Sequence, residues 1–191
     1  MKNKSLNQLN MSKILPFFLL IFSFLNSQDL PLPTWEDINY AGNYHEYNNM
    51  DIYLPELNKK KYPVVITIYG SAWKSNRKKA DNYIKERLIK PLLDSGFAVV
   101  SINHRSSSDA IFPAQIYDVK ASIRFIRANA EKYNFDPNFI GITGSSSGGH
   151  LSAMAGTTSH VNLMSGNVGN HTNFDSHVDA VVDWFGPTNF L

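Results

Sequence analysis

Five residues, Gly144-Ser145-Ser146-Ser147-Gly148, lie between two segments of different periodicity and leave the chain few ways to fold. Before them runs Phe139-Ile140-Gly141-Ile142-Thr143, an apolar stretch that suits a buried strand. After them His150 to Ala155 begins a helix. A strand that passes into a helix over so few residues must turn abruptly, and the residues flanking the turn must be small, hence the glycines. In isolation the pattern G-x-S-x-G fixes only three positions and arises by chance in a serine-rich chain. With a strand before it and a helix after it, the pattern is specific, and it lifts the Ser146 side chain above the C-terminal edge of the strand.

The rest of the chain supplies a sheet for that strand. Val64-Val65-Ile66-Thr67-Ile68-Tyr69 and Phe97-Ala98-Val99-Val100-Ser101-Ile102 are further buried runs, and Val178 to Phe185 is a fourth. Between them, Ala80 to Leu93 has helical spacing that Pro91 should kink or split. Ile116, Val119, Ile123, Ile126 and Ala130 recur at steps of three and four, one apolar face of a long helix. Strands alternating with helices predict right-handed crossovers and an α/β fold with a mostly parallel sheet and helices on both faces. Upstream, Asp37-Ile38-Asn39-Tyr40 and Met50-Asp51-Ile52-Tyr53-Leu54-Pro55 alternate as an antiparallel pair at a sheet edge should. Thr157 to Asn173 reads as a polar excursion, and its triplet Asn170-His171-Thr172 is formally a glycosylation acceptor, a pattern of little weight alone.

Composition narrows the chemistry. Among 191 residues there is no cysteine, which excludes disulfides, thiolate nucleophiles and Cys-ligated metals. Met1 to Lys13 is polar and basic, the apolar run Ile14 to Leu25 follows, and Asn26-Ser27-Gln28 comes next. This is the form of a signal peptide over residues 1–27, with export to the periplasm or outside the cell. A run of twelve residues falls short of the ~20 that a spanning helix needs, so no stable membrane span is expected. Three of the 18 basic residues lie in this leader, so the remainder balances at 15 basic against 16 acidic. That gives no reason to expect a nucleic-acid partner.

A serine on such a turn is a candidate nucleophile, and the Ser147 amide, at the positive end of the helix, faces where an oxyanion would develop. On this reading only the amide of Ser147 matters. Tyr69-Gly70-Ser71-Ala72-Trp73 follows the first parallel strand, where the amides of Ser71 and Ala72 would complete an oxyanion hole and Trp73 would touch substrate. The histidines offer no clear base. His150 lies four residues past Ser146 and reads as a structural helix residue. His104 and Arg105 either line the pocket or contribute an Arg105–Asp118 ion pair. His160, His171 and His177 read as solvated, and Asp183 as a hydrogen-bonded strand residue.

These segments also carry a resemblance. Tyr69-Gly70-Ser71-Ala72-Trp73, Ile111-Phe112-Pro113-Ala114-Gln115, Ile123-Arg124-Phe125-Ile126-Arg127-Ala128-Asn129, Gly144 to Leu151 and Val181 to Thr188 occur in the order seen in bacterial esterases. The chain resembles the bifunctional feruloyl and acetylxylan esterase-like group, close to the hormone-sensitive-lipase-like enzymes. That likeness implies an α/β-hydrolase fold over residues 28–191. It also implies a serine carboxylic-ester hydrolase without metal or organic cofactor, acting on a small-molecule or polysaccharide ester such as acetyl or feruloyl groups of plant polysaccharide. Three departures stand out: Tyr69-Gly70-Ser71 where relatives have His-Gly-Gly, Ser147 where they often have alanine, and Asn189 where they often have aspartate. The resemblance places the triad acid and histidine on loops after the next two strands, beyond residue 191. A fold incomplete at its C-terminus is therefore expected, with no turnover by this polypeptide alone. The competing expectation is a truncated hydrolase-like domain without catalysis.

Overall fold

The structure, a computed structural model, describes residues 30–43, 45–57, 59–75 and 79–190. The signal-peptide reading of residues 1–27 falls outside them. Six strands form one sheet: β1 (Trp35–Asn39), β2 (Asn49–Tyr53), β3 (Tyr62–Ile68), β4 (Ala98–Ile102), β5 (Phe135–Ser145) and β6 (Ala180–Trp184), in the spatial order β1-β2-β4-β3-β5-β6. The β1–β2 and β2–β4 pairs are antiparallel. The β4–β3, β3–β5 and β5–β6 pairs are parallel, which gives the expected sheet with its antiparallel pair at one edge.

Three helical segments link the parallel strands. Residues 82–94 form α1, Ala114–Ala128 form α2 and Ser147–Thr157 form α3. Alternation along the strands sends side chains to two cores. Ile52, Ile66, Val100 and Ile142 join the larger one with α2 and α3, whereas Tyr53 and Val99 join Ile89 of α1 in the smaller. Helices therefore cover both faces. Burial of each such side chain is worth roughly 1.5–3 kcal/mol, and β3 at the centre of the sheet contributes three at full burial, Val64, Ile66 and Ile68.

Pro91 does not split its helix. Lys85–Ile89 form a π turn directly ahead of it, in which the Lys90 amide donates to Lys85 O. Proline cannot donate to the carbonyl four residues back and crowds it. A turn of wider pitch there relieves the clash, so one continuous segment survives. Strand β5 begins at Phe135, earlier than its apolar run suggests, because Phe135 and Asp136 pair with Tyr62 and Pro63 ahead of a break in register.

Helix α2 is buried well beyond its apolar stripe. Ile116, Val119, Ile123 and Ile126 face the core as their spacing requires, yet Lys120 and Arg124 are buried too. Their cations are spent on carbonyls of the polar excursion. Lys120 donates to Thr158 O (2.6 Å), and Arg124 donates to Ser165 O (2.9 Å) and Val168 O (3.0 Å). The excursion, with one short 3-10 turn at Asn162–Met164, is thus fastened to α2. Two histidines expected to be solvated take part in this packing. The His171 ring meets Phe125 edge-on at 5.7 Å, and His177 lies 3.0 Å from Asp175 and 3.5 Å from Asp179.

Candidate active site

The turn from β5 into α3 is as sharp as the glycines imply. Ser146 has φ 52° and ψ −122°, a region almost reserved for glycine that costs a non-glycine residue of order 1–3 kcal/mol. Several contacts hold it there. The Ser146 amide donates to Trp184 O of β6 (2.9 Å), and the His150 amide donates to Ser146 O (3.0 Å). A Cβ on Gly148 would fall 2.2 Å from Ile68 O, and one on Gly144 would fall 2.4 Å from the Gly148 backbone. The absence of side chains at these glycines lets α3 start directly against the ends of β3 and β5.

The loop after β3 packs against this turn. A Cβ on Gly70 would lie 2.7 Å from Ser145 O and 3.0 Å from Ser146 Cβ. Ala72 and Trp73 are consecutive left-handed residues (φ 50° and 59°). The Ala72 and Ser147 amides have no hydrogen-bond partner among the described residues, nor does the Trp73 amide. The Ser71 amide is different: it donates to the Ser147 side-chain oxygen at 2.8 Å. Two sequence expectations change here. Ser71 does not hold a free donor, and Ser147 contributes its hydroxyl as well as its amide. Nothing in the linear pattern links two serines 76 residues apart; the parallel β3–β5 pairing brings them together.

Beside the turn lies a cleft of about 580 Å³ walled by Trp73, Phe112, His150, Met154 and Phe190. The His150 ring sits edge-on to Trp73 and to Phe190, both at 5.3 Å, so it is a wall of the cleft rather than a plain helix residue. Burial lowers its pKa below the ordinary 6.5, against the opposing pull of Asp183. Phe112, Met154 and Phe190 carry no chemical motif and were not singled out as site residues. The one available signal was Phe112 within the segment Ile111 to Gln115.

All six histidines are among the described residues, and none hydrogen-bonds to the Ser146 hydroxyl. Arg105 and Asp118 make the ion pair: the guanidinium grips the fully buried carboxylate at 2.7–3.2 Å, and the Arg105 amide adds a bond at 2.9 Å. His104 does not line the cleft. It is fully buried and stacked on Tyr69 at 5.5 Å, its Nδ1 is 2.8 Å from Arg105 O, and its Nε2 has no partner. Asp183 accepts from the Gly186 amide (2.8 Å), as a hydrogen-bonded strand residue should.

Burial holds the His104 pKa below 6.5, against the Arg105 carbonyl and the Asp118 and Asp109 charges that pull it up. The unfolded chain therefore takes up this proton first as pH falls. Stability is at its plateau above about pH 6.5 and declines below it, by at most ~1.4 kcal/mol per pH unit from this group. Urea unfolding at pH 7.5 and 5.5 should show the loss, and His104→Phe, which preserves the ring stack, should reduce it, leaving the share contributed by His150.

A mostly parallel sheet with a strained serine at a strand-to-helix turn, small-residue packing beneath it and a cleft alongside defines the α/β-hydrolase fold. Solved structures agree. A truncated carbohydrate esterase from gut microbiota matches 84% of this chain and 59% of its own, at 54% identity and TM-score 0.78. A bifunctional GH43-CE protein of Bacteroides eggerthii matches 80% of this chain and 21% of its own, at 57% identity and TM-score 0.76. Residues 50–191 match the BD-FAE family, and the chain belongs to it. Among curated relatives in Mycobacterium tuberculosis, the probable carboxylic ester hydrolase LipM is 38% identical over 64% of this chain, and the esterase LipQ 40% identical over 62%. The matched part spans 28% of the length of each.

Proposed function

We propose that this chain carries the nucleophile and oxyanion hole of a serine carboxylic-ester hydrolase. The observation that carries the reading is Ser146 itself, held at φ 52° beside the unpartnered amides of Ala72 and Ser147. Strain of this kind persists only where the surroundings enforce it, and here it presents a hydroxyl next to an oxyanion site. Ser146 Oγ attacks the ester carbonyl, and the Ser147 and Ala72 amides hold the oxygen as it becomes negative. Collapse of the tetrahedral adduct expels the alcohol and leaves an acyl-serine, which water then cleaves. No cofactor enters these steps.

The aromatic cleft supports an acyl or sugar ester as substrate, the likeness to a carbohydrate esterase supports a carbohydrate ester, and acetyl or feruloyl groups on plant polysaccharide are the form we propose. The apolar run Ile14 to Leu25 behind its basic lead supports export after cleavage near Ser27, and N-terminal sequencing of exported material tests that. For substrate class, the full gene product is assayed on acetylated and feruloylated xylo-oligosaccharides. Trp73→Ala should raise KM for the feruloyl ester by about fivefold, since losing one aromatic contact costs ~1 kcal/mol, and should change KM for the acetyl ester little. Equal effects on both would remove Trp73 from substrate recognition.

A second reading has its own observation: no described histidine bonds to Ser146. In that case the domain is a non-catalytic relative of the esterases. Turnover of p-nitrophenyl acetate by the full gene product no faster than by its Ser146→Ala variant would establish it.

A further inference from the structure

We propose that the Ser147 hydroxyl is a positioning group: it latches the loop 70–74 onto the serine turn and thereby aims the Ala72 amide at the oxyanion. This rests on the reading of Ser146 as nucleophile and adds to it a residue that acts through another. Ser147 occupies the first position of α3, where its amide needs no helical partner. Its side chain is fully buried, and its oxygen accepts the Ser71 amide at 2.8 Å. Amide and hydroxyl of one residue therefore serve two tasks, one facing the reacting oxygen and one holding the loop.

The loop needs such a hold. Ala72 and Trp73 are both left-handed without being glycine, and a strained pair relaxes unless something outside the loop over-determines it. At its far end the loop is tied down, since Lys74 donates to Ser71 O (3.0 Å) and Ser107 donates to Trp73 O (2.7 Å). At its near end the Ser71 hydroxyl is buried without a partner and offers no tether. Among the described residues, the Ser71–Ser147 bond is the polar link between this loop and the serine turn. An alanine at 147 leaves the Ser71 amide unsatisfied at a packed contact and frees the loop to rotate. The Ala72 donor then points away from the position that the oxyanion takes.

The same bond permits the opposite role, and experiment separates the two. If the Ser147 oxygen merely withholds the Ser71 amide from the substrate, removing it supplies a third oxyanion donor and raises kcat. If it is a latch, Ser147→Ala in the full gene product lowers kcat for p-nitrophenyl acetate by about tenfold, with KM within about twofold. Ser147→Thr, which keeps the oxygen, should recover most of the rate. Independently of turnover, exchange of the Ser71 amide with solvent deuterium should be slow in the native protein. In Ser147→Ala it should accelerate at least about tenfold, while amides in the middle of α3 keep their protection. Unchanged or raised kcat in Ser147→Ala, or Ser71 exchange that ignores the substitution, overturns the latch. Ser146→Ala retaining full activity would instead overturn the nucleophile reading and leave the exchange result standing, so the two failures are distinguishable.

Discussion

Replacing Ser146 with glycine is expected to abolish ester turnover and to stabilise the fold at the same time. Loss of the nucleophile should lower kcat of the full gene product by about 10⁴-fold or more, to what the oxyanion donors and binding alone sustain. Glycine adopts the φ 52°, ψ −122° conformation freely, so it relieves strain of about 1–3 kcal/mol. Its greater freedom in the unfolded chain takes back about 0.5–1 kcal/mol. A net gain of about 1 kcal/mol should raise Tm by about 2–4 °C. Ser146→Ala is the control, equally inactive but still strained, with Tm near that of the native protein. Parallel activity assays and thermal melts of the three proteins check this. A glycine variant that melts lower than the alanine variant would mean that the turn is not strained as described.

Gly148→Ala is expected to destabilise the protein by about 3–5 kcal/mol, and its sign is the informative part. Within an ordinary helix, alanine is better than glycine by about 1 kcal/mol. Here the added Cβ would lie 2.2 Å from Ile68 O and 2.7 Å from Tyr69 O, both backbone atoms at the end of the central strand. Neither can move without breaking the β3 pairing, so α3 must lift off the sheet and take Ser147 with it. Denaturant unfolding reads the loss, and activity should fall alongside it. An alanine variant as stable as the native protein would show that α3 does not seat against β3 in this way.

Much of this architecture is legible along the chain, and for local reasons. Runs such as Val64 to Tyr69 can be buried only as strands, and the steps of three and four from Ile116 to Ala130 can be satisfied only on a helix face. Pro91 shows the limit of that reasoning. Its effect depends on whether the neighbouring turn can widen, and Lys85–Ile89 do widen. The histidines show another limit. His104 and His171 look alike as polar residues in sequence, but one is sealed beneath Tyr69 and the other packs on Phe125.

The sequence by itself determined the alternation of strands and helices, the position of Ser146 on a tight turn and the resemblance to bacterial esterases. All of these depend on residues close together in the chain, whose spacing carries the information. Only the tertiary structure decided which amides beside that serine are free. The pairing of β3 with β5 brings residue 71 against residue 147, and a hydroxyl that seemed incidental takes up one of the donors. It also decided that His150, Phe112 and Phe190 wall the cleft with Trp73. Which side chains share a surface depends on how distant segments are stacked, and no periodicity within a segment records that.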